Sequence, residues 1–370
     1  MSIPYLITFE PVNRFYFGTS QSFAEGFNVV SSKFPTQTTI LGCLRRTILK
    51  QHKLLDNNGK YPDKSKIKEV EALTGTSAMN ELDETVEEFG MLEKLSPVFI
   101  VNYFAGTKTP KDFLFTLPVN IVEEKNYLRI SNIKKVNDVN TSGFPYSYAF
   151  IMDEDHKKHV GEFLTGRDFW KNYIEGEKCI KKGFINILEV FIPDFQPGIA
   201  RDNERLVIDE KYYSKSDYRM NKGFSFGVIA HFKDTDIIKE DHVFMGGERS
   251  LFKMNVEPIN EKNESIFADH ALIKRFLDKG DPGDLKNNCD AMCLISPLCV
   301  TDYLKGLDYS IVKYVYSQRT SSKNKLKSDS YNMFPPGTVL FPGQNFEVGN
   351  LYPTNNKIGL NWSIKFNRGF

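Results

Sequence analysis

The chain has 370 residues, too many for one ordinary hydrophobic core, so two domains of roughly 150 residues or more are expected. Apolar residues make up 41% and charged residues 26%, a soluble globular composition that excludes wholesale disorder. Lys and Arg number 48 against 47 Asp and Glu, so no global field draws the chain onto nucleic acid or acidic lipid, and any polyanion site must be a local patch.

Aromatic residues reach 13%, with 30 Phe and 17 Tyr, an excess that leans toward strands. The opening Met1-Ser2-Ile3-Pro4-Tyr5 has neither the basic head nor the apolar run of a signal peptide. No stretch approaches the ~20 apolar residues of a membrane span. The five cysteines (Cys43, Cys179, Cys289, Cys293, Cys299) form an odd, unpatterned set, unlike a secreted disulfide framework. A cytoplasmic protein that does not meet a membrane is expected.

The first strand candidates are Tyr5–Phe9 and Arg14–Phe17. Next comes a basic run: Lys33, Arg45, Arg46, Lys50 and Lys53 with no acidic residue between Lys33 and Lys53. Ile40, Leu41, Leu44 and Ile48 recur at i, i+1, i+4 and i+8, one apolar stripe of a helix. Thr36, Thr38 or Thr39 supplies a hydroxyl for its N-cap. Arg46, Lys50 and Lys53 form a second, basic stripe, so this helix packs on a sheet while presenting cations outward. Strand, loop and amphipathic helix in that order open a β-α-β unit. From Leu54 to Gly90 the sign reverses, with nine acidic residues against four Lys, five of them (Glu81, Asp83, Glu84, Glu87, Glu88) within eight positions. That stretch reads as an acidic insertion, or else as one of two solvated faces of opposite sign.

A helix is predicted over Glu154–Leu164, followed by continuously apolar Phe184–Ile192, a strand covered on both faces. Pro197-Gly198-Ile199-Ala200-Arg201 through Arg205, with Tyr212-Tyr213 beyond, reads as an extended excursion with two arginines. Period-2 alternation is clearest in Phe224, Phe226, Val228, Ala230 and Phe232, and again in Phe252, Met254 and Val256. Between them Val243–Phe252 is a strand, a break at Gly246-Gly247, and another strand. Two glycines expose successive N–H groups beside Arg249, a concavity suited to a phosphate or ribose; a plain hairpin turn explains the same residues. A second helix is predicted over Ile266–Leu277 and a second covered strand at Ala291–Ile295. Ser317–Ser330, with four cations, one anion and five serines, reads as a mobile basic loop. Pro335-Pro336-Gly337 turns into a strand at Thr338–Phe341. The coarse pattern is α+β.

Several catalytic signatures are missing: no GxxxxGK[ST], HExxH, CxxC or GxGxxG occurs. His156 and His159 lack a third metal ligand at matching spacing, and Cys289, Cys293 and Cys299 lack a fourth. Neither an enzyme, a cofactor nor a metal is expected.

Three segments in this order carry a resemblance. Phe34-Pro35-Thr36-x-Thr38-Thr39-x-x-Gly42-x-Leu44-Arg45, preceded by Phe17-Gly18 and Phe23, resembles the opening motif of the RAMP superfamily of CRISPR-associated proteins. Gly198-Ile199-x-Arg201 with Tyr212-Tyr213, Gly246-Gly247-Glu248-Arg249 and Pro336-Gly337-Thr338-Val339-Leu340-Phe341 resemble later motifs of the third subunit of the Cmr (type III-B) effector complex. Ser296-Pro297 and the Phe150-to-Gly176 stretch fit that family as well. The tail Lys357–Phe370 departs from the superfamily's glycine-rich ending, holding only Gly359 and Gly369.

The resemblance implies two ferredoxin-like (RRM-like) domains with insertions. We place them at 1–220, with the acidic insertion at about 54–90, and at 221–370, with the basic loop at about 317–330. It implies a non-catalytic subunit that grips the repeat-derived 5′ tag of the CRISPR RNA in antiviral defence. Its neighbours would be the large polymerase-type (Cas-ten-like) subunit and a Cmr backbone subunit. The residues read as RNA-binding are Lys33, Phe34, Arg45, Arg46, Lys50, Arg201, Gly246, Gly247 and Arg249. Two alternatives stand beside it: a RAMP-type RNA-processing endonuclease with His52 as its acid or base, and a purely structural assembly subunit.

Overall fold

The computed structural model describes residues 3–18, 28–55, 64–75, 89–124, 127–130, 133–135, 148–150, 161–177, 179–180, 183–201, 207–246, 248–278, 291–300, 307–311, 315–319, 330–342, 357–360 and 362–366. Strands outnumber helices throughout, and the expected α+β class is what these residues form. The chain divides into two compact units, each built from three segments: 1–109, 188–259 and 318–330 in the first, 110–187, 260–317 and 331–370 in the second. The boundary placed after residue 220 falls inside the 188–259 segment, between the strands Val207–Met220 and Phe224–Phe232, which belong to one unit. Strands close in sequence suggested a sequential cut; pairing with the N-terminal strand ties this segment back to the start of the chain.

In the first unit Ile3–Pro11 lies between Phe224–Phe232 and Ser250–Pro258, antiparallel to both. Asp241–Met245 continues the sheet beyond Ser250–Pro258; Phe99–Tyr103 and Leu92–Leu95 pair with Phe224–Phe232 on its other side. The pairs on both sides of Ile3–Pro11 are antiparallel, the sense that the strands of a ferredoxin-like sheet also have. The Phe224–Phe232 strand is buried on both faces from Ser225 onward, so its alternating pattern marks a strand but not a solvated side.

Helix α1 (Gln37–Gln51) buries the predicted stripe of Ile40, Leu41, Leu44 and Ile48 and packs against the Asp241–Met245 strand. The acidic stretch is not wholly separate from this unit. Helix α2 (Ile67–Thr74) inside it sends Val70 against Leu49 and Leu54. Glu81, Asp83, Glu84, Glu87 and Glu88 lie outside the described residues.

The Phe excess has its explanation here. Phe15, Phe17, Phe34, Phe191, Phe226 and Phe252 form one aromatic cluster, with Phe15 edge-on to Phe226 at 5.5 Å and Phe17 stacked on Phe252 at 5.9 Å. Phe15 makes only a single bridge, to Tyr218, in place of the predicted Arg14–Phe17 strand. Phe191–Arg201 pairs antiparallel with Val207–Met220, which pairs in parallel with Asn28–Val30.

In the second unit, Ala291–Leu294 sits between Val339–Pro342 and Ser363–Phe366 and is buried throughout. Helix α3 (Arg167–Glu175), which the sequence reading did not anticipate, buries Phe169, Trp170 and Tyr173. The helix predicted over Glu154–Leu164 falls mostly outside the described residues, and its end belongs to the Phe163–Thr165 strand. Phe184–Ile192 is broken by the short helix Ile187–Val190. The Ile266–Leu277 helix is likewise two pieces, Glu264–Ala268 and Ala271–Leu277. His270 makes that break: its buried ring accepts from Leu272 N–H at 3.2 Å and its Nε2 lies 2.9 Å from the Phe113 carbonyl. Burial lowers its pKa to about 4, so it caps the second piece as a neutral ring.

No helix among the described residues is long and apolar enough to cross a membrane. Among the described residues no cluster of three metal-ligating side chains occurs; His156, His159 and Cys289 lie outside them.

Candidate nucleic-acid interface

The predicted basic helix forms one wall of a cleft. Thr36 is its N-cap: Thr39 N–H donates to the Thr36 hydroxyl at 3.2 Å, and the same oxygen lies 2.7 Å from the Thr38 hydroxyl. The capping hydroxyl satisfies one of the helix's unpaired first-turn amides. Among Thr39, Gly42, Cys43 and Arg46, spaced at i, i+3, i+4 and i+7, the helix turns one face to the cleft. Gly42 is exposed in mid-helix, and a Cβ added there would meet nothing within 4 Å. Cys43 is a neutral part of the wall, because burial pushes its thiol up to about 12.

The opposite wall is the hairpin of Asp241–Met245 and Ser250–Pro258. Its first strand alternates, with Val243 and Met245 buried and Phe244 between them 57% exposed. The turn closes with Arg249 N–H donating to the Gly246 carbonyl at 3.2 Å, and Arg249 itself has φ +54°. Gly246 has φ +80°, and a Cβ there would collide with the Tyr16 carbonyl oxygen. The hairpin reading of Gly246 is therefore correct, and the turn also reaches the cleft.

A chain of charges holds this turn. Lys215 pairs with Glu248 and, at 2.9 Å, with Asp217, whose side chain is 3% exposed. Its ammonium also sits 4.7 Å over the Tyr16 ring, and Arg14 approaches Asp217 at 3.7 Å. Desolvation works against the Lys215 charge, but the hydrogen bonds and fields of Glu248 and Asp217 outweigh it and raise its pKa.

Between the walls lies a cleft of about 300 Å³, lined by Phe17–Gly18, by Thr36, Thr39, Gly42 and Arg46 of the helix face, and by Phe244–Gly246. Among the described residues no acidic side chain lines it. Three stretches singled out far apart in the sequence thus meet in one place within the first unit.

The predicted residues divide. Arg46 and Gly246 line the cleft. Lys33 is half-buried in the loop before α1. Phe34 packs edge-on against Phe191 at 5.4 Å and Phe226 at 6.2 Å, part of the aromatic core. Arg45 lies over the Phe89 ring, 5.5 Å from its centre. Lys50 spans from α1 to the hairpin wall, 2.7 Å from Asp241, beside a two-way pairing of Gln51 with the Lys239 backbone. Arg249 is exposed in the turn. Arg201 ends the Phe191–Arg201 strand; its side chain, like Gly247, lies outside the described residues. The Pro335–Phe341 turn belongs to the second unit. Phe244 and Thr39 were not foreseen as site residues. The signal for Phe244 was present, as the outward position in the alternation Val243, Phe244, Met245.

Comparison with known proteins gives one extended match. The family described as "CRISPR-associated protein (Cas_Cmr3)" matches residues 7–275. No curated protein matches the sequence. Among solved structures, a chain of a type III-B Cmr-beta complex bound to cognate target RNA and AMPPnP is 14% identical with a TM-score of 0.49, covering 98% of this chain and 96% of that one. A chain of the Csm3–Csm4 subcomplex of a type III-A CRISPR–Cas interference complex is 9% identical with a TM-score of 0.41, covering 98% and 99% respectively.

Proposed function

The chain belongs to the Cas_Cmr3 family of CRISPR-associated proteins, and on that premise we propose that it is a non-catalytic subunit of a type III-B effector complex. In this reading it holds the repeat-derived 5′ tag of the CRISPR RNA in the cleft between α1 and the Asp241–Pro258 hairpin, and it docks the large polymerase-type subunit. One observation carries the reading. Phe17–Gly18 and the Thr36–Arg46 helix face, which overlap the opening motif of the resemblance, and Phe244–Gly246, which reaches the first glycine of a later one, converge on a cleft with an exposed arginine and, among the described residues, no lining carboxylate. A single strand is held by cations on phosphate and aromatic faces on bases, and this cleft offers both in an otherwise neutral protein. His52, the residue assigned to the nuclease alternative, caps the far end of α1.

The test is affinity for tag RNA as a function of salt, measured on the assembled complex. Arg46→Glu should weaken binding and reduce the salt slope by roughly 0.7, the loss of one phosphate contact on a single strand. Unchanged slope and affinity would remove this cleft from the RNA surface. Lys50→Glu should leave the slope alone, since Lys50 is paired with Asp241. Incubation with a repeat-containing transcript completes the test, intact RNA being the expected result and site-specific cleavage the contrary one.

A further inference from the structure

The three strands Ile3–Pro11, Ser250–Pro258 and Asp241–Met245 present two faces, and one of them departs from its own pattern. Their registers set Pro11, Phe252 and Val243 in one cross-strand row and Phe9, Met254 and Asp241 in the next but one. Phe9, Phe252, Met254 and Val243 are buried, and α1 packs on that face with its Lys50 paired to Asp241. The rows between point the other way. Glu10, Lys253 and His242 lie side by side there, as do Thr8 and Asn255, and Glu10 and His242 are exposed, as on a sheet face that meets water. The row at the turn end breaks this pattern. Val12 N–H donates to the Leu251 carbonyl at 3.0 Å, and Leu251 stands opposite Phe244. Val12, Leu251 and Phe244 thus form an apolar row across three strands, with Val12 56% and Phe244 57% exposed. A lone exposed apolar side chain needs no explanation, whereas a contiguous row marks an interaction site.

We propose that this outer sheet face docks a neighbouring protein subunit, which sets an apolar ridge on Val12, Leu251 and Phe244 and opposite charges over the row beside it. This rests on the reading of the chain as a subunit of a multi-protein effector and names the surface that reading leaves open. Charge decides between protein and nucleic acid as the occupant. Glu10 stands directly across from Lys253 and offsets it, so the row offers no cationic track for a phosphate chain. Val12 and Leu251 have no π-face on which a base could stack. A protein surface matches both features: apolar side chains cover the row at the turn, a cation meets Glu10 on one side, and a carboxylate meets Lys253 beside it.

The experiment places the photo-crosslinking residue p-benzoylphenylalanine at Val12, Leu251 or Phe244, one at a time, in the full chain assembled with the other subunits of its complex. All three positions should label one and the same protein subunit. The probe at Glu257, on the same face but away from the row, should label it weakly. Val12→Glu and Leu251→Glu should each weaken that subunit's association roughly ten-fold, the scale of an interface hot spot, with the thermal midpoint of the isolated chain unchanged. Val12→Ser, which adds no charge, should act in the same direction and serves where a glutamate variant fails to fold. Glu10→Lys combined with Lys253→Glu keeps the pair within the chain but reverses it toward the partner, and should weaken the same association. Labelling of RNA alone, of a different subunit at each position, or of nothing overturns the proposal. So does an association that the Val12 and Leu251 variants, or the charge swap, leave unchanged. A wild-type complex that fails to bind tag RNA would sink the RNA reading and leave this surface standing; a chain that enters no multi-protein complex would sink both.

Discussion

Gly42 on the helix wall and Gly246 on the hairpin wall face the same cleft, yet the chain itself requires only the second. Gly246 holds a positive φ and presses against the Tyr16 carbonyl, so any side chain there meets both a disfavoured backbone region and a backbone atom that has nowhere to go. Gly42 sits in open space. Two glycines that look alike in the sequence therefore differ in what the fold asks of them: the turn requires Gly246, and the helix would accept a side chain at Gly42. The same contrast runs through the walls. The hairpin is held by the Lys215, Glu248 and Asp217 charges, while the helix depends on its buried stripe and a single threonine cap.

Four substitutions test that contrast. The largest effect is expected for Gly246→Val, a loss of about 3 kcal/mol in denaturant unfolding from strain and overlap together; a wild-type midpoint would erase the distinction between the two glycines. Lys215→Met should cost about 2 kcal/mol, since it leaves Asp217 buried with only the more distant Arg14 and releases Glu248. Amide exchange should quicken at 248–250 in that variant, and Lys215→Arg should recover most of both effects. If exchange in the turn is unaltered, the charges do not hold it. Thr36→Ala should cost about 1 kcal/mol through the lost cap. Gly42→Ala carries the smallest effect and the opposite sign, a gain of up to about 1 kcal/mol. A clear destabilisation there would give Gly42 a folding role after all.

Much of this was legible in the sequence, and what was not shares a physical cause. The α1 stripe, its threonine cap and the Phe224–Phe232 strand were readable because each is a local periodicity. Lys50 was read as an RNA contact because nothing nearby is acidic, but Asp241, its partner, lies 191 residues away. Phe34 was read as an RNA-binding residue, yet Phe191 and Phe226 pack against its ring. A local window sees the charge or the ring and cannot see what the fold has already set against it. The units' boundaries were hidden in the same way, by long-range pairing, and the break at His270 by a buried ring acting as a cap. Phe244 shows the converse, a cleft residue whose outward position was in the alternation all along.

The central place of Ile3–Pro11 bears on how this protein is made. Its two strand partners end only at Phe232 and Pro258, so roughly 250 residues separate Ile3–Pro11 from the end of the strand that covers its second edge. At ordinary elongation rates synthesis of that stretch takes on the order of tens of seconds, and until its end is made one edge of the strand is bare. Pairing across so long a stretch of chain forms slowly, so closure of this edge competes with its pairing to other chains.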